Sequence, residues 1–319
     1  MVLRTRSRPA VVIALCLLVV GGCSRGPAHR GDDPLPAPFD GAAVASPEQE
    51  RFLHESEERA VAACMRQRGL SYREVPAGRA VAENPYGLLT ETQAARNGYG
   101  LTADLLAGPP DDPNAELLAR LDPEGRAAWR AALTGTGKDE RTLSAPDSPD
   151  LRINTDGCVY LGRMALYGSE WEQAALTVAG LTTRVIDQVL ADPGFRSAQR
   201  RWADCMRANG EQFATLQDAR GAIQNAAHDA GGDRVALQAV GRRELRLAER
   251  DAACQRQSDL PEAVRTAQKR VEAALPASSR RQAAELADLR KRALGPDPTG
   301  HRREPSAPKR PATMPRGGR

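Results

Sequence analysis

"RRWADCMRANGEQFATL", at residues 200–216, repeats the pattern of "RAVAACMRQRGLSYREV" at residues 59–75. In both stretches an arginine stands five residues before a Cys-Met-Arg triplet, and a glycine stands five residues after the cysteine. The apolar residues around each cysteine are spaced for one face of a helix, which predicts a buried cysteine. Because glycine adopts the left-handed conformation at little cost, Gly69 and Gly210 are predicted to end the two helices.

Apolar residues recur at helical spacing elsewhere in the chain. One stripe consists of Phe195, Ala198, Trp202, Cys205 and Met206, and another of Val264, Ala267, Val271, Ala274 and Leu275. No stretch alternates clearly enough between apolar and polar residues to predict a strand. The sequence therefore predicts an all-α fold of about seven to nine helices.

Several helix starts are marked by a cap residue. Three of them place a proline directly after the cap, at Ser46-Pro47, Asp122-Pro123 and Asp192-Pro193. A proline is well suited to the first helical position, since the N–H that it lacks has no partner there. Two further pairs fit the spacing of a capping box, Thr90 with Gln93 and Ser279 with Gln282.

The first residues have the layout of an export signal. Arginines precede an apolar run at residues 10–20, which is too short to cross a bilayer, since a span needs about 20 apolar residues. The run ends in Val20-Gly21-Gly22-Cys23, which resembles the lipobox of bacterial lipoprotein signal peptides. The resemblance implies removal of residues 1–22 and attachment of a diacylglyceryl group, with acyl chains such as palmitate, to Cys23. An ordinary secretory signal cleaved near the glycines is the alternative.

Both ends of the remaining chain have the composition of flexible segments. Residues 23–46 are rich in Gly, Pro and Ala, which predicts a flexible linker between the lipid anchor and the body. Residues 295–319 are rich in proline and carry six basic against two acidic residues, which predicts a disordered basic tail. Such a tail can be attracted to anionic lipid headgroups or wall polymers, and the alternative is a solvated tail without a target. An exported chain with a nearly neutral body is not expected to bind nucleic acid.

Beyond Cys23, the mature chain holds four cysteines: Cys64, Cys158, Cys205 and Cys254. An even number in an exported chain favours disulfides, and four cysteines allow three pairings. The repeated pattern indicates two related helical halves, at residues 46–170 and 171–294. If each half is a unit, the pairs are Cys64–Cys158 and Cys205–Cys254.

A zinc site and a reactive thiol are the rival interpretations of these cysteines. The sequence has no C-x-x-C spacing, and its four histidines are scattered, so no metal ion or cofactor is predicted. A nucleophilic thiol needs an activating histidine beside it, and pairing in a disulfide would abolish its reactivity.

Further segments carry a wider resemblance: "NPYGLLTETQAARNGYG", "LDPEGRAAWRAALTG" and "GCVYLGRMALYG", together with the two Cys-Met-Arg stretches. Taken together, they resemble a family of exported and lipid-anchored proteins of actinomycetes. The resemblance covers most of residues 46–294. It implies a source and an architecture, but no activity and no site residues.

Tyr86 and Tyr99 stand in two Asn-x-Tyr-Gly repeats and are the candidate interaction surface. Tyrosines on glycine turns can stack on sugars or contact a protein partner. The alternative is that both tyrosines pack the turns around a short helix at residues 90–97. His54 and Glu58, one helical turn apart, form a possible metal pair or simply a solvated helix face.

The expected function is non-catalytic binding or scaffolding at the cell envelope, with the membrane, wall polymers or another envelope protein as partner. No G-x-S-x-G or H-E-x-x-H motif is present, and "TGTGKDE" at residues 134–140 lacks the first glycine and the Ser/Thr of a phosphate loop. One alternative is a cell-wall enzyme that uses carboxylates the sequence does not single out. Another is a solute-binding lipoprotein of a transporter, a class built from α/β lobes.

Overall fold

The computed structural model describes residues 34–41, 45–78, 84–108, 111–146 and 149–295. The helices of the first part are α1 (Pro47–Gln67), α2 (Glu91–Asn97), α3 (Leu101–Ala107), α4 (Ala115–Arg120), α5 (Pro123–Thr134) and α6 (Cys158–Tyr167). Those of the second part are α7 (Trp171–Ala191), α8 (Pro193–Ala208), α9 (Leu216–Ala230), α10 (Arg234–Gln257), α11 (Leu260–Ala274) and α12 (Ala277–Leu294). The predicted signal peptide, Cys23 and the predicted basic tail beyond Gly295 lie outside the described residues.

The predicted all-α class is confirmed, with two differences in detail. Three of the helices, α2, α3 and α4, have only six or seven residues, so the described residues contain more helices than the apolar stripes predicted. A two-stranded antiparallel sheet is also present, formed by β1 (Glu140–Leu143) and β2 (Leu151–Asn154). Only Leu143 in it is buried, and four residues with one buried position give no readable alternation in sequence.

Most of the predicted caps are confirmed. The Ser46 hydroxyl accepts from the Gln49 backbone N–H while the Gln49 side chain accepts from Ser46 N–H, which completes a capping box. Thr90, Asp122 and Asp192 cap α2, α5 and α8 through a side-chain oxygen that accepts from backbone N–H groups of the first turn. The prediction for Ser279 was wrong, because α12 already begins at Ala277 after Pro276 and Ser279 is buried inside it.

Both Cys-Met-Arg helices end in the same geometry. Gly69 and Gly210 have φ angles of +75° and +83°, in the left-handed region. In each case the residue after the glycine donates its N–H to the carbonyl of the motif methionine, at 3.0 Å in α1 and 2.9 Å in α8. This is the Schellman arrangement, which satisfies carbonyl groups at a helix end. The repeat in the sequence is therefore a repeat in local structure.

The disulfides pair as the two-halves argument predicted. Cys64 is bonded to Cys158 over a sequence separation of 94, and Cys205 is bonded to Cys254 over a separation of 49. The first bond joins α1 to the start of α6, and these helices approach closely at buried Gly162, where a Cβ would lie 3.2 Å from a methyl group of Val61. The second bond joins the last turns of α8 and α10.

The main hydrophobic core combines residues from both halves of the sequence. Tyr86, Leu88 and Tyr99 are buried in the same cluster as Trp202 and Leu247. They belong to residues 84–107, which lie along α10 through α2 and α3. A smaller cluster, formed by Val61, Met65, Trp129, Ala132 and Cys158, surrounds the first disulfide. Each disulfide thus joins two cysteines of the same half of the sequence, whereas the main core contains residues from both halves.

Part of the predicted flexible linker lies against the body. Residues 34–41 include a short 3-10 turn, Pro38–Gly41, and Pro36 and Pro38 are buried. Phe39 and Leu35 pack against the main core. The linker prediction therefore extended too far toward the body, because it judged residues 34–41 by composition alone.

Among the described residues, α7 meets the length and composition of a membrane-crossing helix. Core helices of soluble proteins meet the same criterion, and α7 packs against α8, α11 and α12. Its buried face consists of Val178, Leu181, Val185 and Val189. These contacts place α7 as a packed helix of the body.

Candidate functional site

A cleft of about 200 Å³ opens between α1, α6, α7 and α12. We refer to it as the α1–α7 cleft. Its polar and aromatic lining consists of Glu50, His54, Glu57, Tyr167, Trp171 and Arg290, and Ala45 and Leu53 complete the wall. The lining brings together an aromatic pair, two carboxylates, an imidazole and a guanidinium group.

The aromatic pair is formed where α6 ends and α7 begins. Tyr167 is the last residue of α6 and Trp171 is the first of α7, with the turn at Gly168 between them. Their rings stack with centroids 3.9 Å apart and an interplanar angle of 12°. The Arg290 guanidinium carbon lies 5.7 Å from the Trp171 ring centroid, within the range of a cation–π contact. The helix junction thus places a stacked aromatic pair beside a positive charge.

Glu57 is held in the cleft by a hydroxyl group and a guanidinium group. It accepts a 2.7 Å hydrogen bond from the Tyr167 hydroxyl, and Arg163 Nε lies 3.3 Å from its Oε2. Arg163 also lies 3.5 Å from Glu172. Burial alone would lower the pKa of Arg163, but the two carboxylates outweigh it and raise that pKa. Glu57 therefore stays in a fixed position.

Two further groups of the cleft have shifted pKa values. Burial, and next the hydrogen bond to Glu57, raise the pKa of Tyr167 far above its ordinary value, so the hydroxyl remains a neutral donor. Burial lowers the pKa of Arg290, although the neighbouring Tyr167 and Glu50 act in the opposite direction. The cleft thus offers a partly desolvated cation, which interacts with polar ligands more strongly than a solvated one.

His54 and Glu58 organise the segment that follows the first Cys-Met-Arg helix. His54 Nε2 lies 2.8 Å from the Val75 carbonyl oxygen. Glu58 accepts from Val75 N–H at 2.7 Å and from the Tyr72 hydroxyl at 2.8 Å. The two side chains therefore hold this segment in place, and neither of the interpretations left open by the sequence, a metal pair or a solvated helix face, describes them fully. Within the described ranges, no cluster of three or more His, Cys, Asp or Glu side chains is placed to hold a metal ion.

A second, more apolar groove of about 360 Å³ lies between α3 and α9. Leu101, Leu105, Ala227 and His228 contribute to its lining, and Leu105 is 54% exposed. It contains no arrangement of charged groups comparable to that of the α1–α7 cleft.

The candidate interaction surface at Tyr86 and Tyr99 was wrong. Tyr86 is 0% exposed and Tyr99 is 2% exposed, so neither ring is available to a partner. The Asn84 side chain accepts from the N–H groups of Tyr86 and Leu88, and this turn directs Tyr86 into the core. The alternative interpretation, in which both tyrosines pack the turns around the short helix α2, is the one the structure supports.

Sequence reasoning missed three buried polar residues on α10: Glu244, Asp251 and Gln255. Glu244 accepts from the backbone N–H groups of Leu101 and Thr102 and so caps α3. Gln255 accepts from Leu89 N–H at 3.0 Å. Glu244 and Asp251 stand seven residues apart, as do the apolar residues Val240, Leu247 and Cys254 of the same helix. This shared interval was the available signal.

The α1–α7 cleft was also missed, although Tyr167-Gly168 repeats the Tyr-Gly pattern of the two buried tyrosines. Its residues come from four helices, and no local spacing joins α1 to α12. The four cysteines, by contrast, form the two pairs that the sequence analysis predicted. Comparison of the chain with protein-family models, with curated proteins and with solved structures found no match.

Proposed function

We propose that the protein is a lipid-anchored, extracytoplasmic binding protein of the cell envelope and that it acts without catalysis. The observation that carries this proposal is the pairing of all four cysteines of the body in two disulfides. Disulfides persist in oxidising compartments outside the cytoplasm, which agrees with the export signal and the lipobox in the sequence. Cys23 supplies the membrane attachment, and two acyl chains give a stable anchor where one chain would bind only reversibly.

The α1–α7 cleft is the binding site in this proposal, and a saccharide unit of a wall polymer is the ligand. Small-ligand sites combine an apolar or aromatic surface with a few fixed polar groups, as Trp171, Glu57 and Arg290 do here. Planar charged side chains can form paired hydrogen bonds to neighbouring groups of a polar ligand. The cleft volume of about 200 Å³ suits one sugar-sized unit.

The anchoring part is tested by mapping cysteines in the membrane fraction. The protein is alkylated with and without reductant, digested and analysed by mass spectrometry. We expect lipid-modified Cys23 at the mature N-terminus and disulfide-linked peptides for both pairs. An unmodified Cys23, or recovery of the protein in the soluble fraction, would refute the membrane attachment.

The binding part is tested by co-sedimentation of the mature protein with insoluble wall polymer. We expect Glu50→Gln and Trp171→Ala to reduce the bound fraction at least tenfold. Leu105→Ala, at the other groove, is the matched control and should bind as the wild type does. Far-UV circular dichroism confirms that each variant is folded. Equal binding by all variants would exclude the cleft, and cross-linking on cells that captured only a protein would indicate an envelope protein as partner.

A second candidate function, a wall-degrading glycosidase, is favoured by one observation: Glu50 and Glu57 line the same cleft. Seven residues on a helix span about 10 Å, which is nearer to the spacing of inverting than of retaining glycosidases. Release of soluble sugar fragments from wall polymer, abolished by Glu57→Gln, would establish this activity. An absence of release at enzyme concentrations that saturate binding would leave the non-catalytic function.

The transporter-associated alternative has less support. Solute-binding lipoproteins of that class are built from α/β lobes, whereas β1 and β2 form a hairpin of four-residue strands in the described part of the chain. The basic residues at 295–319 add a second attachment in our proposal, since they are attracted to anionic lipid headgroups or wall polymers.

A further inference from the structure

Residues 34–41, "PLPAPFDG", lie on α11 and on the turn that begins at Asn84. Prolines at every second position fix φ at Pro34, Pro36 and Pro38, and each proline also pushes the residue before it toward extended backbone. Residues 34–37 are therefore extended before they bind, in the polyproline manner, and lose little conformational freedom on docking. The segment resembles a peptide ligand more than a loop of the core.

The hydrogen bonds to this segment suit a proline-rich chain. Proline has no N–H group, so such a chain offers carbonyl acceptors and few donors. The body supplies one side-chain donor to each of three carbonyl groups: Asn84 Nδ2 to Pro36 (2.8 Å), Gln268 Nε2 to Ala37 (2.8 Å) and Arg265 Nη2 to Pro34 (3.3 Å). The body thus recognises the segment through its backbone carbonyl groups, which remain available as acceptors in a proline-rich chain.

Phe39, the first residue after the last of these prolines, donates a hydrogen bond to the body, whereas the preceding residues accept hydrogen bonds from it. Phe39 donates its N–H to Glu272 Oε1 at 2.7 Å, and its ring packs against the main core and against the cluster of Val178, Ala283 and Leu286. Burial is the main factor that raises the pKa of Glu272, and the hydrogen bond from Phe39 N–H acts in the opposite direction. Phe39 is therefore the aromatic anchor of the segment, and Glu272 is the acceptor that the groove supplies.

Gln268 is oriented by a buried residue of the main core. The buried Tyr86 hydroxyl donates to Gln268 Oε1 at 3.0 Å. With the oxygen occupied in this manner, the Gln268 amide nitrogen points toward Ala37. The donor side of the groove is thus preformed by the core, and Tyr86 acts as a positioning residue.

The docked segment also carries backbone strain. Phe39 and Asp40 have φ angles of +55° and +52°, in the left-handed region that residues with a side chain rarely adopt. Release from the groove would relieve this strain. The contacts therefore hold a conformation that the free segment does not favour.

We infer that this face of α11, with Asn84, is a recognition groove for a proline-rich peptide, and that residues 34–41 are its releasable occupant. The consequence for anchoring rests on the proposed function. With the groove occupied, the chain between Cys23 and Pro34 reaches at most about 40 Å from the bilayer. With the groove empty, the chain from Cys23 to Ser46 reaches roughly 80 Å. Docking or release of residues 34–41 would therefore set how far the body extends from the membrane into the envelope.

The groove is tested by binding of a labelled synthetic peptide of residues 33–41 to the full mature chain in detergent, followed by fluorescence anisotropy. The wild type should bind weakly, because its own segment competes. Phe39→Ala, which weakens the occupant and leaves the groove unchanged, should bind at least tenfold more tightly. A peptide with its prolines replaced by alanine is the matched control and should not bind.

Hydrogen exchange on the same samples gives an independent readout. The Phe39 amide should be protected in the wild type and should exchange at least tenfold faster in Glu272→Ala, with the core helices unchanged. If Phe39→Ala alters the circular dichroism spectrum, Pro36→Ala/Pro38→Ala replaces it as the weakened occupant. Peptide binding that is absent, or equal in wild type and variant, overturns the inference. An unmodified Cys23 would refute the anchor and leave these measurements valid.

Discussion

The Tyr99 hydroxyl donates a 2.8 Å hydrogen bond to Asp251 Oδ2 across a sequence separation of 152 residues. The other carboxylate oxygen accepts from Trp202 Nε1 and from Gln255 Nε2, each at 2.8 Å. Asp251 is 0% exposed, so these three donors replace the water that the carboxylate loses on folding. This contact fixes residues 84–107 onto α10.

Removal of the Tyr99 hydroxyl should destabilise the protein. Tyr99→Phe leaves one oxygen of a buried carboxylate without its donor, which costs about 1.5–3 kcal/mol of unfolding free energy. Urea denaturation at pH 7 measures the loss. Tyr160→Phe is the control, since the Tyr160 hydroxyl makes no hydrogen bond within the described part of the chain, and its effect should stay within about 0.5 kcal/mol. Equal effects would show that the bond contributes nothing.

Asp251 should make stability depend on pH between about 4 and 6. Burial is the main factor that raises the pKa of Asp251 from 3.8 to about 6. The folded state therefore binds the proton more tightly than the unfolded state, so the associated stability is complete below pH 4 and is lost as the pH rises through 6. A shift of this size corresponds to roughly 3 kcal/mol.

Comparison with Asp251→Asn isolates this contribution, because all other titrating groups are shared. The unfolding free energy of the wild type minus that of the variant should fall by 2–3 kcal/mol, an order-of-magnitude figure, between pH 4 and pH 7. Urea titrations at four pH values provide the measurement. A difference that is constant with pH, or that grows with pH, contradicts the prediction.

Glu244 should control the order of α3. Its carboxylate accepts from Leu101 N–H at 2.8 Å and from Thr102 N–H at 3.0 Å, and it also accepts from the Thr102 hydroxyl. Glu244→Gln replaces one acceptor oxygen with a donor group that faces other donors, which should cost about 2 kcal/mol. Hydrogen exchange should show faster exchange at residues 101–107, with α8 and α11 unchanged. Uniform loosening of all helices would mean that Glu244 acts on global stability instead.

The glycines that end the two Cys-Met-Arg helices should respond alike to substitution. A Cβ at Gly69 or Gly210 meets no atom within 4 Å, so an alanine there suffers only from the positive φ. Gly69→Ala and Gly210→Ala should each lower the unfolding free energy by about 1 kcal/mol. Gly221→Ala, inside α9 with equally open surroundings, is the control and should raise stability by about 0.5–1 kcal/mol. Clearly unequal losses at Gly69 and Gly210 would argue against equivalent helix ends.

Loss of either disulfide should cost several kcal/mol. In the chain-entropy model, loops of the observed lengths contribute roughly 4–5 kcal/mol each, with the bond between Cys64 and Cys158 at the upper end because it closes the longer loop. Paired Cys→Ser variants are compared in thermal unfolding under oxidising conditions. Reductant should lower the melting temperature of the wild type and should have no effect on a variant that lacks both bonds.

The sequence by itself determined the features that depend on a few neighbouring residues. The caps at Ser46 and Asp192, the helix ends at Gly69 and Gly210, and the helical class all follow from local hydrogen bonding and backbone conformation. The repeat predicted the disulfide pairing on the condition that each half forms its own bond, and the structure confirms both pairs. Ser279 shows the limit of this reasoning, since a cap-like pair inside a helix has the same spacing as one at its start.

Only the tertiary structure decided which side chains face solvent and which meet. Tyr86 and Tyr99 read as loop residues, yet helices distant in sequence cover them. The α1–α7 cleft exists because α12 brings Arg290 beside Trp171, and the groove for residues 34–41 exists because α11 faces Asn84. Burial and site geometry are set by contacts between elements far apart in the chain, and residue spacing within one element carries no record of those contacts.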